Sequence, residues 1–262
     1  MSNLCRVGSV EIGPGRPLAV IAGPCVLESL EMGLTIGRFM KDACASAGLP
    51  YIFKASFDKA NRSSITSPRG PGIERGLGWL AEIRRELNVP ATTDIHEPHH
   101  AEPASRALDL LQIPAFLCRQ TDLLLAAGRA AAANGRAVNV KKGQFVSPME
   151  MAGPLRKLAE AGCLNAMLTE RGTFFGYNRL VNDFSGVADM MALSAKGRTH
   201  PAPVCFDCTH STQLPGSGEQ TGGRPEHSPA LARAAVAVGV HALFIECHPD
   251  PKNALSDAAT VL

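Results

Sequence analysis

The chain of 262 residues has no block of five or more like charges, and 26 lysines and arginines nearly balance 24 aspartates and glutamates, leaving a net charge of +2. This removes the electrostatic ground for a nucleic-acid or anionic-membrane partner, so any anion must be recognised locally. The first twelve residues lack a continuous apolar run, being interrupted by Arg6 and Glu11. They fit neither a signal peptide nor a transmembrane helix, and the expected location is the cytoplasm. No linker-like, low-complexity or repeated segment divides the chain, so one domain over residues 1–262 is expected. Its eight cysteines have no regular spacing, and a chain of this size needs no disulfide framework, so reduced thiols are expected. Cys5, Cys44 and Cys163 stand among apolar or small neighbours and read as core fillers.

What is present is a repeating pattern. Short apolar runs end in a polar residue, and longer stretches with helical spacing follow them. Strands are predicted at 18–22, 51–54, 91–94, 110–113, 137–141, 166–169, 204–207 and 242–246, and helices at 30–47, 72–88, 122–134, 148–161 and 228–238. Gly48, Gly135 and Gly162 stand where left-handed caps are wanted, and Pro148 where a first-turn proline is tolerated. Eight βα units predict an α/β fold, a (β/α)8 TIM barrel, with a short N-terminal strand or hairpin at residues 7–12 plugging its bottom. The turn after the first strand, Gly23-Pro24-Cys25, is no dinucleotide fingerprint, which argues against an open doubly wound sheet.

Barrel enzymes carry their sites at the C-terminal ends of the strands. Those ends and the loops beyond offer Cys25, Lys54 with Lys59 and Arg62, Asp94 with His96, Arg119, Lys141, Glu170 with Arg171, Asp207 with His210, and Glu246 with His248. Lys54, Lys59, Arg62, Arg119, Lys141 and Arg171 are too many cations to converge without an anionic ligand, and phosphate or carboxylate groups would supply it. Lys142 and Lys252 read instead as solvated lysines.

Cys25, His210, Glu246 and Asp257 come from the first, seventh and eighth strand ends, which are neighbours in a closed barrel. A thiolate, an imidazole and two carboxylates suit zinc or iron(II) better than magnesium. The alternative, an inert Cys25 and an ordinary loop histidine, stays open on residue types alone. Cys205 and Cys208 form a lone Cys-x-x-Cys on a strand whose side chains alternate in direction, which disfavours a shared metal. His99, His100, His200, His227 and His241 read as surface or helix-end residues.

Longer strings are more specific. Residues 53–64 (FKASFDKANRSS), 93–98 (TDIHEP), 112–122 (QIPAFLCRQTD), 139–145 (NVKKGQF), 170–172 (ERG), 207–211 (DCTHS) and 246–251 (ECHPDP) together resemble the 3-deoxy-D-manno-octulosonate 8-phosphate synthase family along nearly the whole chain. The resemblance implies condensation of phosphoenolpyruvate with arabinose 5-phosphate, on the way to the core sugar of lipopolysaccharide. It assigns Lys54, Ser56, Lys59, Lys141, Gln144 and Arg171 to phosphoenolpyruvate, Asn61, Arg62 and Ser63 to the sugar phosphate, and Asp94 to the pocket. Arg119 matches an arginine that reaches the sugar phosphate of a neighbouring subunit, implying a homo-oligomer, a tetramer. Cys25 and residues 255–258 (LSDA) resemble the metal-dependent branch, which implies Cys25, His210, Glu246 and Asp257 as ligands of one divalent transition metal: zinc or iron(II), with manganese or cobalt as further choices.

Cys118, Cys208 and Cys247 depart from the family motifs and read as neutral packing changes. The family continues past the position of Leu262 into a helix that covers the eighth strand, so the sequence is expected to be missing that C-terminal helix. Two alternatives remain: a related synthase using erythrose 4-phosphate, whose loop lacks the string at 60–64, and a non-catalytic phosphometabolite-binding barrel. The segment 215–223 reads equally as a closing lid or a surface loop.

Overall fold

The computed structural model describes residues 4–61, 65–195, 198–216 and 222–262. Apolar runs rich in Val, Ile, Leu and Ala become strands because both faces of each are covered, the inner by the barrel interior and the outer by helices. The chain opens with a hairpin, β1 (Cys5–Val7) and β2 (Val10–Ile12). Barrel strands follow: β3 (Ala19–Gly23), β4 (Tyr51–Lys54), β5 (Ala91–Asp94), β6 (Leu110–Ile113), β7 (Ala137–Lys141), β8 (Ala166–Glu170) and β9 (Val204–Asp207). A small ribbon, β10 (Gln213–Leu214) with β11 (Gly222–Gly223), precedes the last barrel strand, β12 (Ala242–Glu246). The barrel strands pair in parallel in the order β12-β3-β4-β5-β6-β7-β8-β9 and close upon themselves.

The outer helices are α1 (Leu30–Ser46), α2 (Ile73–Leu87), α3 (Ala101–Ala107), α4 (Thr121–Asn134), α5 (Ala152–Glu160), α6 (Phe184–Met191) and α7 (Ser228–Val238). Their starts and stops follow local chemistry. Ser29 Oγ accepts the Met32 amide at 3.0 Å to open α1, and Gly135 takes the left-handed conformation that ends α4. The predicted 148–161 helix is divided: a 3-10 turn with a Ser147–Glu150 capping box leads into α5. α3 and α6 were not predicted, and the short N-terminal element, expected as a strand or hairpin, is a hairpin.

Strand alternation splits the interior into levels. Val20, Ala22, Phe53, Val138, Val140, Leu168, Val204 and Phe206 face the helices. Ile21, Ile52, Leu110, Met167, Cys205 and Phe244 point into the barrel and pack with Cys5, Val7, Val10 and Ile12 of the hairpin, which closes the lower end. Moving up the strands, the same inward positions become polar: Lys54, Asp94, Gln112, Asn139, Lys141, Thr169, Asp207 and Glu246, all buried.

All eight cysteines are free, and among the described residues no helix is long and apolar enough to cross a membrane. Cys205 and Cys208 fall in opposite cores, as strand alternation requires.

Gly23 sets how closely β3 approaches β4. A Cβ there would lie 2.0 Å from the Lys54 carbonyl oxygen, and its φ of +157° disfavours side chains. Gly23→Ala is expected to destabilise the protein by about 3 kcal/mol, read as a lowered urea midpoint. An unchanged midpoint would show that the strands can part without penalty.

Candidate active site

The polar upper level opens into a cavity of about 640 Å³ lined by residues from nearly every βα loop. Ser56, Lys59, Asn61, Asp94, Lys141, Gln144, Arg171, His210, Glu246 and Asp257 all line it. The structure therefore brings together most of the sequence-selected set. Arg62 and Ser63 lie outside the described residues. Arg119 is exposed and is not among the described residues lining its own chain's cavity; its backbone carbonyl accepts Lys157 Nζ at 2.9 Å, away from that cavity's lining.

On one side of the cavity floor, Lys54 is buried. Its ammonium donates to the Cys25 carbonyl at 2.9 Å and to Glu246 Oε1 in a short contact, and stands 4.0 Å from Asp94 Oδ2. Ser56 Oγ donates to Asp94 Oδ2 and accepts from Lys59 Nζ at 3.1 Å. Asp94 Oδ1 accepts from Gln112 Nε2 at 2.7 Å, Gln112 from Asn139 at 2.9 Å, and Asn139 from Thr169 Oγ1 at 2.8 Å. Four strands are thus joined by one chain of polar contacts. Burial pushes the Asp94 carboxyl upward, but Lys54, Lys59 and Lys141 overcome this and hold it well below the usual carboxylate range.

The lysines are therefore balanced within the protein, contrary to the expectation that only a ligand would offset them. Lys141 Nζ donates to Asp207 Oδ2 at 2.7 Å and sits 3.5 Å from the centre of the Phe244 ring. Among the described cations of the cavity, the least satisfied is Arg171. Its Nη2 donates to Gln213 Oε1 at 2.5 Å, whereas its buried Nη1 has no hydrogen-bond partner. Gln144 Oε1 is likewise buried and unpartnered. An unmatched guanidinium nitrogen in a cavity is where an anionic ligand gains most, because its hydration has already been removed.

Lys142 corrects the sequence reading. It is fully buried, not solvated, and Lys142 Nζ lies 3.4 Å from Glu170 Oε2.

The cysteine–carboxylate cluster adjoins Lys54 and shares Glu246 with it. One ligand atom each from Cys25, Glu246 and Asp257 lies within 4.8 Å of the others. Cys25 Sγ is 2.9 Å from Asp257 Oδ2 and 3.0 Å from Ser256 Oγ. His210 Nε2 is 3.3 Å from Glu246 Oε2 and 3.8 Å from Asp257 Oδ2. The Asp207 carboxylate, 2.7 Å from His210 Nδ1, orients the ring so that Nε2 faces the acids. Glu246 Oε2 is a buried oxygen without a hydrogen-bond partner. An imidazole nitrogen, two carboxylates and a thiol converging around an oxygen without a hydrogen-bond partner fit a divalent cation of intermediate softness. Asp257 reaches the cluster at a φ of +51°, the left-handed region that aspartate tolerates better than most residues.

Reasoning from sequence missed Gln213, which bridges Arg171 to Asp257 Oδ1, the latter at 3.4 Å. It also missed the Gln112–Asn139–Thr169 chain, although polar residues at inward-facing positions of otherwise apolar strands were visible. The segment 215–223 is described only at its ends: Pro215 and Gly216 line the cavity, and β11 pairs with β10.

A closed parallel barrel whose strand-end cavity gathers paired lysines and carboxylates, an arginine with an unmatched guanidinium nitrogen and a candidate metal cluster has the layout of a barrel enzyme's active site. The chain belongs to the DAHP synthetase I family, which it matches over residues 3–262. It is 53% identical over 239 residues to the 2-dehydro-3-deoxyphosphooctonate aldolase of Nitratidesulfovibrio vulgaris (strain DP4), covering 91% of this chain and 84% of that protein. Proteins of the same name from Cyanothece sp. (strain PCC 7425 / ATCC 29141) and Syntrophotalea carbinolica (strain DSM 2380 / NBRC 103641 / GraBd1) are 50% and 49% identical. They cover 97% and 100% of this chain, and 89% and 91% of their own lengths. The family resemblance read from the motifs is borne out.

Proposed function

We propose that the protein condenses phosphoenolpyruvate with D-arabinose 5-phosphate and water to give 3-deoxy-D-manno-octulosonate 8-phosphate and inorganic phosphate, a step of lipopolysaccharide core-sugar synthesis. Similarity over most of the length of proteins named 2-dehydro-3-deoxyphosphooctonate aldolase supports the reaction. The observation that carries the reading is the buried Arg171 Nη1 without a partner, beside Lys141 and Gln144 in a cavity large enough for two small substrates.

In this reading Arg171, Gln144 and Lys141 hold the phosphate and carboxylate of phosphoenolpyruvate, with Lys54, Ser56 and Lys59 beneath them. Asn61, Arg62 and Ser63 hold the sugar phosphate, and Arg119 contributes from a second subunit of a homo-oligomer, a tetramer. Carbon three of the enol attacks the sugar aldehyde while water adds to carbon two, and the resulting tetrahedral centre expels phosphate. The basic wall stabilises charge developing on that centre without reorganising, because its lysines are already fixed by carboxylates. Cys25, His210, Glu246 and Asp257 would hold one divalent transition metal, zinc or iron(II) before manganese or cobalt. When bound, it would supply Lewis-acid polarisation of an oxygen at the reacting centre. The protein works in the cytoplasm, where its free thiols persist.

Release of inorganic phosphate from phosphoenolpyruvate, measured with each aldose phosphate, tests the assignment. Turnover is expected to be at least about tenfold faster with arabinose 5-phosphate than with erythrose 4-phosphate, the scale of one poorly matched contact. A preference for erythrose 4-phosphate would move the chain to the other synthase activity, and no release with either would leave a binding protein.

A further inference from the structure

Behind the cavity wall a second ion pair joins two loops without lining the cavity. Lys142 is the residue after β7, and alternation turns it away from Lys141 into the layer under the loops. Its ammonium lies 3.4 Å from Glu170 Oε2 and donates to Thr173 Oγ1 at 3.0 Å and to the carbonyls of Gly143 and Val146 at 3.3 Å each. Glu170, at the end of β8, accepts the backbone amides of Arg171 at 2.9 Å and Gly172 at 2.7 Å on its other oxygen. The loops also meet directly, where the Phe174 amide donates to the Gln144 carbonyl at 2.9 Å. Both charged side chains are almost completely buried, at 1% and 4% exposure.

One ammonium and one carboxylate thus tie residues 143–146 to residues 170–173. These two segments carry Gln144 and Arg171, which line the cavity and each hold a buried polar atom without a hydrogen-bond partner. A buried ion pair is weak evidence for a stabilising role, since well-packed apolar replacements are often as stable. Here its contacts run to backbone groups of the loops bearing the ligand-binding side chains. We propose that Lys142 and Glu170 are positioning residues that set the separation of Gln144 and Arg171, and so govern binding of the phosphoenol substrate without touching it. This rests on the reading above that Gln144 and Arg171 hold phosphoenolpyruvate.

Lys142→Met removes the ammonium and its ties to both loops, while Glu170→Gln keeps an oxygen for the Arg171 and Gly172 amides. The double variant leaves no unpaired buried charge, so folding recovers while the tie stays broken. In the double variant the KM for phosphoenolpyruvate is expected to rise about 10- to 100-fold, the scale of a displacement of about 1 Å in positioning groups. The KM for arabinose 5-phosphate is expected to change less than about threefold, and the melting temperature to stay near that of the wild type. Calorimetric titration with phosphoenolpyruvate alone should show the same loss of affinity. If substrate affinity returns together with stability in the double variant, or both KM values rise equally, the pair is structural only and the proposal fails. Should Lys142→Met alone not fold, the double variant carries the comparison. Failure of the functional reading itself looks different, because the unmodified protein would then neither bind phosphoenolpyruvate nor release phosphate from it.

Discussion

Stripping divalent metal from the protein with dipicolinate, verified by elemental analysis, is expected to abolish phosphate release, and adding back a transition metal to restore it. The reason lies in the donors. His210 Nε2 faces Glu246 and Asp257, with Cys25 Sγ in contact with Asp257, and Glu246 Oε2 lacks a hydrogen-bond partner. Lys54 offsets Glu246 in this cluster, and a divalent cation would add the positive charge that Asp257 and an ionised Cys25 require. Cys25→Ala is expected to weaken binding of Zn²⁺, measured by competition with a chromogenic chelator, by more than the about 10- to 100-fold typical of losing an outer partner. The thiolate contributes both charge and softness, and Asn would replace neither. Full activity after verified removal of metal would place the chain outside the metal-dependent branch.

The second large effect concerns Lys141. Lys141→Met is expected to lower kcat/KM for phosphoenolpyruvate by about 100- to 1000-fold, equivalent to about 3–4 kcal/mol of lost transition-state stabilisation. It should also lower stability by about 3–5 kcal/mol, because Asp207 is left buried without its ammonium partner. The two losses separate in Lys141→Met/Asp207→Asn, which removes both charges. Stability is expected to return there, as read by denaturant unfolding, while catalysis does not. Recovery of catalysis along with stability would show that Lys141 acts only as a structural counter-ion.

Much of the architecture was legible because the signals were strong and local. Each predicted strand lies within one residue of the observed bounds, and six of the eight end on Lys, Asp or Glu, which marks where pairing stops. α3 was missed because AEPASRA carries a proline and no apolar stripe, and α6 because eight residues with one internal glycine give too few turns for periodicity. The 148–161 helix was drawn as one element since sequence spacing does not separate a 3-10 start from an α continuation.

The site was partly legible. Strand-end residues are forecast by topology, so Cys25, Lys54, Asp94, Lys141, Arg171 and Glu246 were found, and closure brought Cys25 to Glu246 across the pairing of β3 with β12. Lys142 was misread because it was judged by residue type, whereas strand alternation next to an inward Lys141 would have turned it into the buried outer layer. Gln213 lies beyond any strand end, on a ribbon whose placement depends on tertiary contacts. The pairing of lysines with carboxylates also escaped notice, as charge counts along a chain do not reveal which opposite charges meet.

The gradient inside the barrel, apolar against the hairpin and ionic toward the rim, divides the molecule by task. Hydrophobic collapse is anchored at the closed end, so the open end can tolerate a dense set of buried ions that would be ruinous in a core of its own. Such a foundation leaves the rim free to diverge: a new loop or a changed ligand there alters chemistry while the lower half keeps the fold upright.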